Sequence, residues 1–270
     1  MTTKNGFSTR AITFDEAEKV SKVLALNFLD DRFTSYITGA TTKPPRTVDS
    51  PEGQALAFQF KLFIQSTVLD GGRTVIAFKH TEDGEEIIGG IAVWFPPGKR
   101  VDVFSWWRMI WWGSWWLIFR WGWDLLKRAE EFHHDTDKVF VQAFGERFKA
   151  TGVKLDPSDT WHLQLITAVK EFEGKGLMSL LQREGFRHAV ETAAAKGEKP
   201  KPICLEATSE RARDRYAFLG YELAPNQPLV VGKGQVDENG LKTSNEAGAT
   251  GIKVYCMVNW EPNPDYKRPQ

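Results

Sequence analysis

The sequence predicts an α/β chain, and three observations carry that prediction. A strand-like apolar run, residues 161–169, passes through a short loop into a Gly174-Lys175-Gly176 turn and then a helical run, residues 177–195. A second strand and helix follow, residues 202–207 and then 209–219. Helical runs at 15–28 and 52–69 alternate with strand-like runs at 73–79, 86–95 and 251–260, the interleaving expected of a sheet covered by helices.

Taken in order, residues 8–13 form a short strand. Residues 15–28 place Ala17, Val20, Val23, Leu24 and Phe28 at helical spacing. Residues 30–50 are polar, carry Pro44-Pro45 and are expected to be loop. The helix at 52–69 is stopped by Gly71-Gly72, and the polar turn 80–84 joins the strands 73–79 and 86–95. Pro96-Pro97-Gly98 breaks the chain. Residues 101–132 are predicted helical, and 138–150 as a separate helix. After the central strand 161–169, the helix 177–195 carries Leu177, Leu180, Leu181, Phe186, Ala189 and Val190 on or near one face. A strand starts at Tyr221, residues 226–251 are a glycine-rich polar excursion, and 261–270 is a mobile tail. No repeat or linker divides the chain, so residues 1–270 are expected to form one domain, with a Trp-rich helical insert at about 99–150.

Composition narrows the function classes. The chain has 270 residues and 35 basic against 35 acidic side chains. That balance argues against a nucleic-acid-binding domain, where a basic excess is expected. Cys204 and Cys256 both lie in strand-like runs and are expected to be buried free thiols. The first residues have no apolar core of a secretory signal, so the cytoplasm is the expected location.

A helix N-terminus presents unpaired N–H groups and partial positive charge, which suits phosphate. Gly174 and Gly176 permit close approach to the backbone there, and Lys175 adds a cation. No Gly-Lys-Ser/Thr closes the loop as in a Walker motif, and the third glycine of the dinucleotide fingerprint is missing. The turn alone is equally explained as a tight connection.

With the second unit included, residues 161–224 resemble the GNAT superfamily of acyl-CoA-dependent N-acetyltransferases. Val169 takes the place of the family's strand-ending Val. Glu173-Gly174-Lys175-Gly176-Leu177-Met178 takes its Gln/Arg-x-x-Gly-x-Gly/Ala loop, and Tyr216 with Gly220-Tyr221 takes its Tyr-x-x-x-Gly-Phe/Tyr ending. Two positions depart: Glu173 puts an acid beside the expected pyrophosphate, and Met178 replaces a small residue. Residues 9–13, 86–95 with Trp94-Phe95-Pro96-Pro97-Gly98, and 253–258 extend the layout, which looks most like the puromycin N-acetyltransferase branch and its fungal relatives.

The resemblance implies a mixed, twisted central sheet flanked by helices, with acetyl-CoA as acyl donor beside the central strand. It assigns donor contacts to Thr167, Ala168, Val169, Glu173, Gly174, Lys175, Gly176, Leu177, Met178, Ser179, Ser209 and Tyr216. Backbone N–H groups from Gly174 to Ser179 would hold the pyrophosphate, a backbone N–H near Val169 the thioester carbonyl, and Ser209 the pantetheine arm or its own helix start. Tyr216 falls at the general-acid position, where a phenol protonates the leaving thiolate. The base stays open between His162, Glu206 and solvent, because a one-residue bulge decides whether His162 or Leu163 faces the cleft. A non-catalytic acyl-CoA-binding protein is the rival that Glu173 and Met178 suggest.

Eight of the eleven tryptophans lie between Trp106 and Trp123. A membrane span is not expected, because Arg108 and Arg120 bound the uncharged run well short of the ~20 residues required. Three uses of this belt stay open: core and dimer packing, a wall of an acceptor pocket, or docking at a membrane surface. The pocket reading assigns acceptor contacts to Trp94, Trp107 and Trp111 and implies a small amine acceptor with an apolar or aromatic body. A membrane-associated protein working through the belt is the other rival, and monomer and homodimer are both compatible. His133-His134-Asp135 is expected to be solvated helix polarity, since adjacent helical residues chelate poorly, so no metal is expected. Gly232-Lys233-Gly234 repeats the loop letters without a following helix and is expected to be a turn.

Overall fold

The computed structural model of the chain describes residues 3–100 and 111–267. Its strands are β1 (Thr3–Lys4), β2 (Phe7–Ala11), β3 (Arg73–His80), β4 (Glu86–Phe95), β5 (Trp161–Ala168), β6 (Ile203–Ala207), β7 (Glu222–Leu223), β8 (Leu229–Val231) and β9 (Ile252–Asn259). Its helices, numbered in chain order, are α1 (Ala17–Phe28), α2 (Arg32–Thr38), α3 (Pro51–Leu69), α4 (Trp115–Trp121), α5 (Asp124–Thr151), α6 (Leu177–Ala195) and α7 (Glu210–Phe218). The expected mixed α/β sheet is present. Its strands run β1-β2-β3-β4-β5-β6-β9-β7, with β8 paired to the start of β9. Every pairing is antiparallel except β5 with β6.

The strand alternation divides the core between two faces. On one face Val75, Ala77, Ala92, Trp94, Leu163 and Leu205 meet Leu177, Leu181, Phe186 and Ala189 of α6. On the other, Ile76, Ile91, Val93 and Phe95 meet Val20 and Leu24 of α1 and Leu56, Phe60 and Ile64 of α3. Further along that face Phe140 and Phe144 of α5 cover Cys204 and Cys256. Both thiols are free and buried, and burial pushes Cys204 up to about 12, so neither is a ready thiolate.

Two helical expectations are corrected. The polar stretch 30–50 contains α2, because Asp31 accepts from the Thr34 N–H at 2.9 Å and Gly39 ends the helix with φ 71°. Among the described residues the Trp-rich insert breaks at Gly113, φ 68°, and Gly122, φ 78°, and not between 132 and 138; α5 then runs unbroken for 28 residues. Its buried Leu125, Phe132, Thr136, Phe140 and Phe144 form one continuous stripe through the region expected to separate two helices.

β5 and β6 pair only at Trp161↔Ile203 and His162↔Cys204. Beyond those positions β5 keeps its pairing with β4 as far as Ala168, while β6 keeps its pairing with β9 as far as Ala207. The two central strands therefore part, and the sheet opens between them. A register shift in the β4–β5 ladder places Val93 opposite Leu165 and Trp94 opposite Leu163, leaving Gln164 as the extra residue. No described helix is long and apolar enough to cross a membrane.

Arg10 ties the first strand to this frame. Its guanidinium meets Glu16 at 2.5 Å and Glu86 at 2.7 Å and stacks over Phe78. Hydrogen bonding to Arg10 holds the Glu16 carboxyl at about 2, against burial, which raises it. A depressed carboxyl stabilises the fold above its ordinary value of 4.5, and that contribution is lost as the pH falls toward 2. Arg10→Met is expected to cost about 1–2 kcal/mol at pH 7 in urea unfolding, with the gap to wild type narrowing below pH 4.5. A gap that does not change with pH would remove the Glu16 assignment.

Candidate active site

Two cavities open where β5 and β6 separate, and they share Glu173, Met178 and Tyr216. The first, of about 710 Å³, lies between the start of α6 and the side of α7. The second, of about 580 Å³, is walled by α1, α2, α3 and α5.

The first cavity is built on the Gly-Lys-Gly turn. Gly174 and Gly176 hold φ of 78° and 75°, left-handed conformations in which other residues are strained. Gly176 starts α6, so the N–H groups of Leu177, Met178 and Ser179 belong to the helix's first turn and have no intrahelical partner. Lys4 of β1 leans over the turn, its Nζ 2.6 Å from the place a Cβ on Gly176 would occupy. Asn5 donates to the Lys175 carbonyl at 2.9 Å. Arg211 and Arg215 of α7 line the opposite wall. Arg211 stands 3.7 Å from Glu173, so the acid at the loop has a cation beside it. These features suit a pyrophosphate: exposed N–H donors, partial positive charge, cations on both sides and no Cβ in the way.

The assigned donor-site residues separate into groups. Glu173, Gly174, Gly176, Leu177, Met178, Ser179, Ala168 and Tyr216 line the first cavity. Thr167 and Ser209 line the second, where Ser209 caps α7 by accepting from the Ala212 N–H at 3.2 Å. Lys175 is exposed and lines neither cavity. The Val169 N–H itself donates to the Gly89 carbonyl at 2.9 Å, so a free N–H near Val169 must come from a neighbouring residue. By ladder alternation, the N–H groups of Ile166 and Ala168 instead face the gap toward β6.

Tyr216 stands at the junction, buried against Tyr221 with ring centroids 5.7 Å apart. Burial holds its phenol well above the usual tyrosine value, with Arg215 opposing, so it stays protonated at neutral pH. Behind it, Gln182 is fully buried, accepts from the Tyr221 hydroxyl at 2.9 Å and lines the first cavity.

The second cavity has aromatic walls and an acidic end. Phe28 and Phe60 pack at 5.4 Å, Phe60 and Phe63 at 6.1 Å, and Phe33 and Phe132 at 4.5 Å. Glu206, Asp31, His133 and Gln164 supply polar groups. The bulge lies downstream of His162; His162 faces Glu206, Nε2 to Oε2 3.2 Å, while Leu163 packs in the core under α6 and also lines the cavity. Glu206 lines the cavity and His162 stands behind it. Burial raises the Glu206 carboxyl, but the charge and hydrogen bond of His162 outweigh it, with help from His133 and Arg100, and the net shift is downward. His133 is pulled below its ordinary value by desolvation, while Glu206 pulls it upward. His133 is exposed to solvent, as the sequence suggests, and also lines the edge of this cavity. No group of three or more metal-ligating side chains occurs among the described residues.

The tryptophans assigned to the acceptor do not converge. Trp94 is 2% exposed in the core beneath α6, where a Cβ on Gly185 would come within 2.3 Å of its indole. Trp111 is 80% exposed and lines neither cavity. Trp107 lies outside the described residues. The phenylalanines that do line the cavity occupy apolar helix faces in the sequence, where a core residue and a pocket residue have the same spacing.

No protein-family model matches the chain, and no curated protein matches it in sequence. Solved structures do match in fold. A Corynebacterium glutamicum protein described as histone acetyltransferase HPA2 and related acetyltransferase superposes with a TM-score of 0.51 at 17% identity, over 97% of this chain and 99% of its own. Arylalkylamine N-acetyltransferase 2 of Aedes aegypti gives 0.53 at 16% identity, over 95% and 99%. A putative arylalkylamine N-acetyltransferase 7 of the same mosquito gives 0.52 at 12%, over 93% and 86%. The fold of this chain is that of the GNAT N-acetyltransferases.

The histidine assignments can be tested without turnover. In a ring-proton NMR titration, His133 is expected to have its midpoint below 6.5. Glu206→Gln removes a carboxylate that favours the imidazolium, so the midpoint should fall further. A midpoint unmoved by that substitution would separate His133 from Glu206.

Proposed function

We propose that the chain is a single-domain acyl-CoA-dependent N-acyltransferase that acetylates a small primary amine with an apolar or aromatic body. One observation carries the reading. A phosphate-suited helix start and an aromatic, acid-ended cavity meet at one buried, protonated tyrosine, Tyr216. The names of the arylalkylamine N-acetyltransferases with the same fold point the same way. The narrower likeness to the puromycin branch rests on the motif residues alone.

Acetyl-CoA would supply an acyl group already activated as a thioester. The N–H groups of Leu177 to Ser179, with Arg211 and Lys4, would hold its pyrophosphate. The N–H groups of Ile166 and Ala168, facing the gap, would receive the thioester carbonyl oxygen and stabilise charge developing on it. Ser209 keeps α7 in place through its cap, which fixes Tyr216 two turns later. The phenylalanines would hold the body of the acceptor, and Glu206 its amine, which binds neutral so that nitrogen keeps its lone pair. Glu206, braced by His162, would take a proton from the amine as nitrogen bonds to the carbonyl carbon. Tyr216 would give its proton to the departing sulfur as the carbon–sulfur bond breaks, and recover one from solvent. No covalent bond to the chain is needed.

Thiol release from acetyl-CoA, read against a panel of aromatic and aliphatic amines, tests this directly. Tyr216→Phe should lower kcat about 100-fold and leave the acetyl-CoA Kd within twofold. Phe33→Ala should raise acceptor KM about tenfold without changing the acetyl-CoA Kd. Full activity in Tyr216→Phe would remove the general acid, and release with no amine on the panel would return the chain to a binding role.

A further inference from the structure

A separate cavity of about 260 Å³ lies between α2, α5 and residues 235–244. Tyr36, Arg128, Gln235, Lys242, Thr243 and Ser244 line it, and it shares no residue with the two cavities described above. Arg128, on α5, is only 5% exposed. Its Nε donates to the Ile37 carbonyl at 3.0 Å. Its Nη2 is buried and finds no hydrogen-bond partner among the described residues. Asp124 and Glu131 lie within its field on the same helix, yet neither forms an ion pair with it. A buried guanidinium with no counter-ion is costly, and the cost is relieved when an anion pairs with it.

A second cation converges on the same place. Arg128 Nη2 lies 2.8 Å, and Lys242 Cε 3.1 Å, from the position a Cβ on Gly39 would occupy. Those distances bring the two side chains within about 6 Å of each other, and neither forms an ion pair among the described residues. Gly39 is left-handed and has no Cβ, so the space between the two cations stays open. Capping of the α2 carbonyls explains the Nε bond to Ile37. It does not explain the idle Nη2, and Lys242 is held beside it by its own backbone N–H, which donates to the Ala40 carbonyl at 2.8 Å.

We propose that Arg128 and Lys242 form a binding site for a phosphate-type oxyanion, either inorganic phosphate or the phosphate of a small monoester. The guanidinium offers a planar fork, Lys242 a mobile point charge, and the Thr243 and Ser244 hydroxyls further donors. The cavity holds a phosphate with room for a small ester group. Ile37, which receives the Arg128 bond, also lines the aromatic cavity, so an anion here braces that cavity's wall.

The test is a thermal-unfolding titration of the full chain with inorganic phosphate, without acetyl-CoA, at ionic strength held constant by sodium chloride. Wild type should show a saturating rise in Tm of a few degrees. Lys242→Ala alters an exposed side chain and should leave the unliganded Tm unchanged while raising the half-saturating phosphate at least about tenfold. Arg128→Met should abolish the part of the rise that Lys242→Ala weakens. The α6 start can also take phosphate, so a rise that both substitutions leave unchanged belongs there and overturns the proposal. No saturating rise in wild type, or a loss in only one variant, overturns it as well. A parallel titration with glycerol 3-phosphate identifies the source. Half-saturation below that of inorganic phosphate assigns the site to a monoester, and an equal or higher value assigns it to the free ion.

Discussion

Two neighbouring strands that pair at two positions and then part determine most of what this molecule can do. β5 and β6 share Trp161↔Ile203 and His162↔Cys204, then each follows its other partner. The separation leaves backbone N–H and C=O groups of β5 without a ladder, which is unfavourable in a closed core. It is tolerable here because the gap opens into two cavities. The extra residue in β5, Gln164, turns the later part of the strand by one position. His162 and Leu165 therefore face the helical layer of α1, α3 and α5, while Leu163 and Ile166 face α6.

The helices on either side of the gap then supply unlike chemistry. α6 follows a glycine turn and begins with N–H groups, from Leu177 to Ser179, that have no intrahelical partner, and α7 brings arginines to the same wall. α1, α2, α3 and α5 bring phenylalanines and a small set of buried charges. In such surroundings Glu206 remains ionised only because His162, and more weakly His133 and Arg100, oppose the cost of burial. Tyr216, with no comparable cation strong enough to offset its burial, remains a phenol. A buried carboxylate and a buried phenol thus stand on two sides of the same opening.

Much of this was legible in the sequence. The strand–turn–helix at 161–195 and the second unit at 203–218 matched closely, because alternating apolar runs and glycine stops are local signals. The resemblance singles out Tyr216 and the glycine turn, and the structure brings both to one opening. What escaped depends on tertiary placement. Asp31 and Gly39 bound a short helix inside a stretch whose polarity suggested loop. The Val169 N–H was committed to Gly89, a pairing fixed by a bulge that one strand's sequence does not reveal. The acceptor wall was sought among tryptophans, yet Trp94 fills the space left by Gly185. The phenylalanines that line the cavity look like any core face until the sheet is seen to open.

The central claim is that the opening between β5 and β6 receives an acyl-CoA at the start of α6. Isothermal titration of the chain with acetyl-CoA tests it most directly, since it requires no knowledge of the acceptor. The account predicts one saturable site per chain, with affinity falling as salt screens the pyrophosphate from the helix start and its arginines. No saturable heat at millimolar acetyl-CoA and low ionic strength would contradict it.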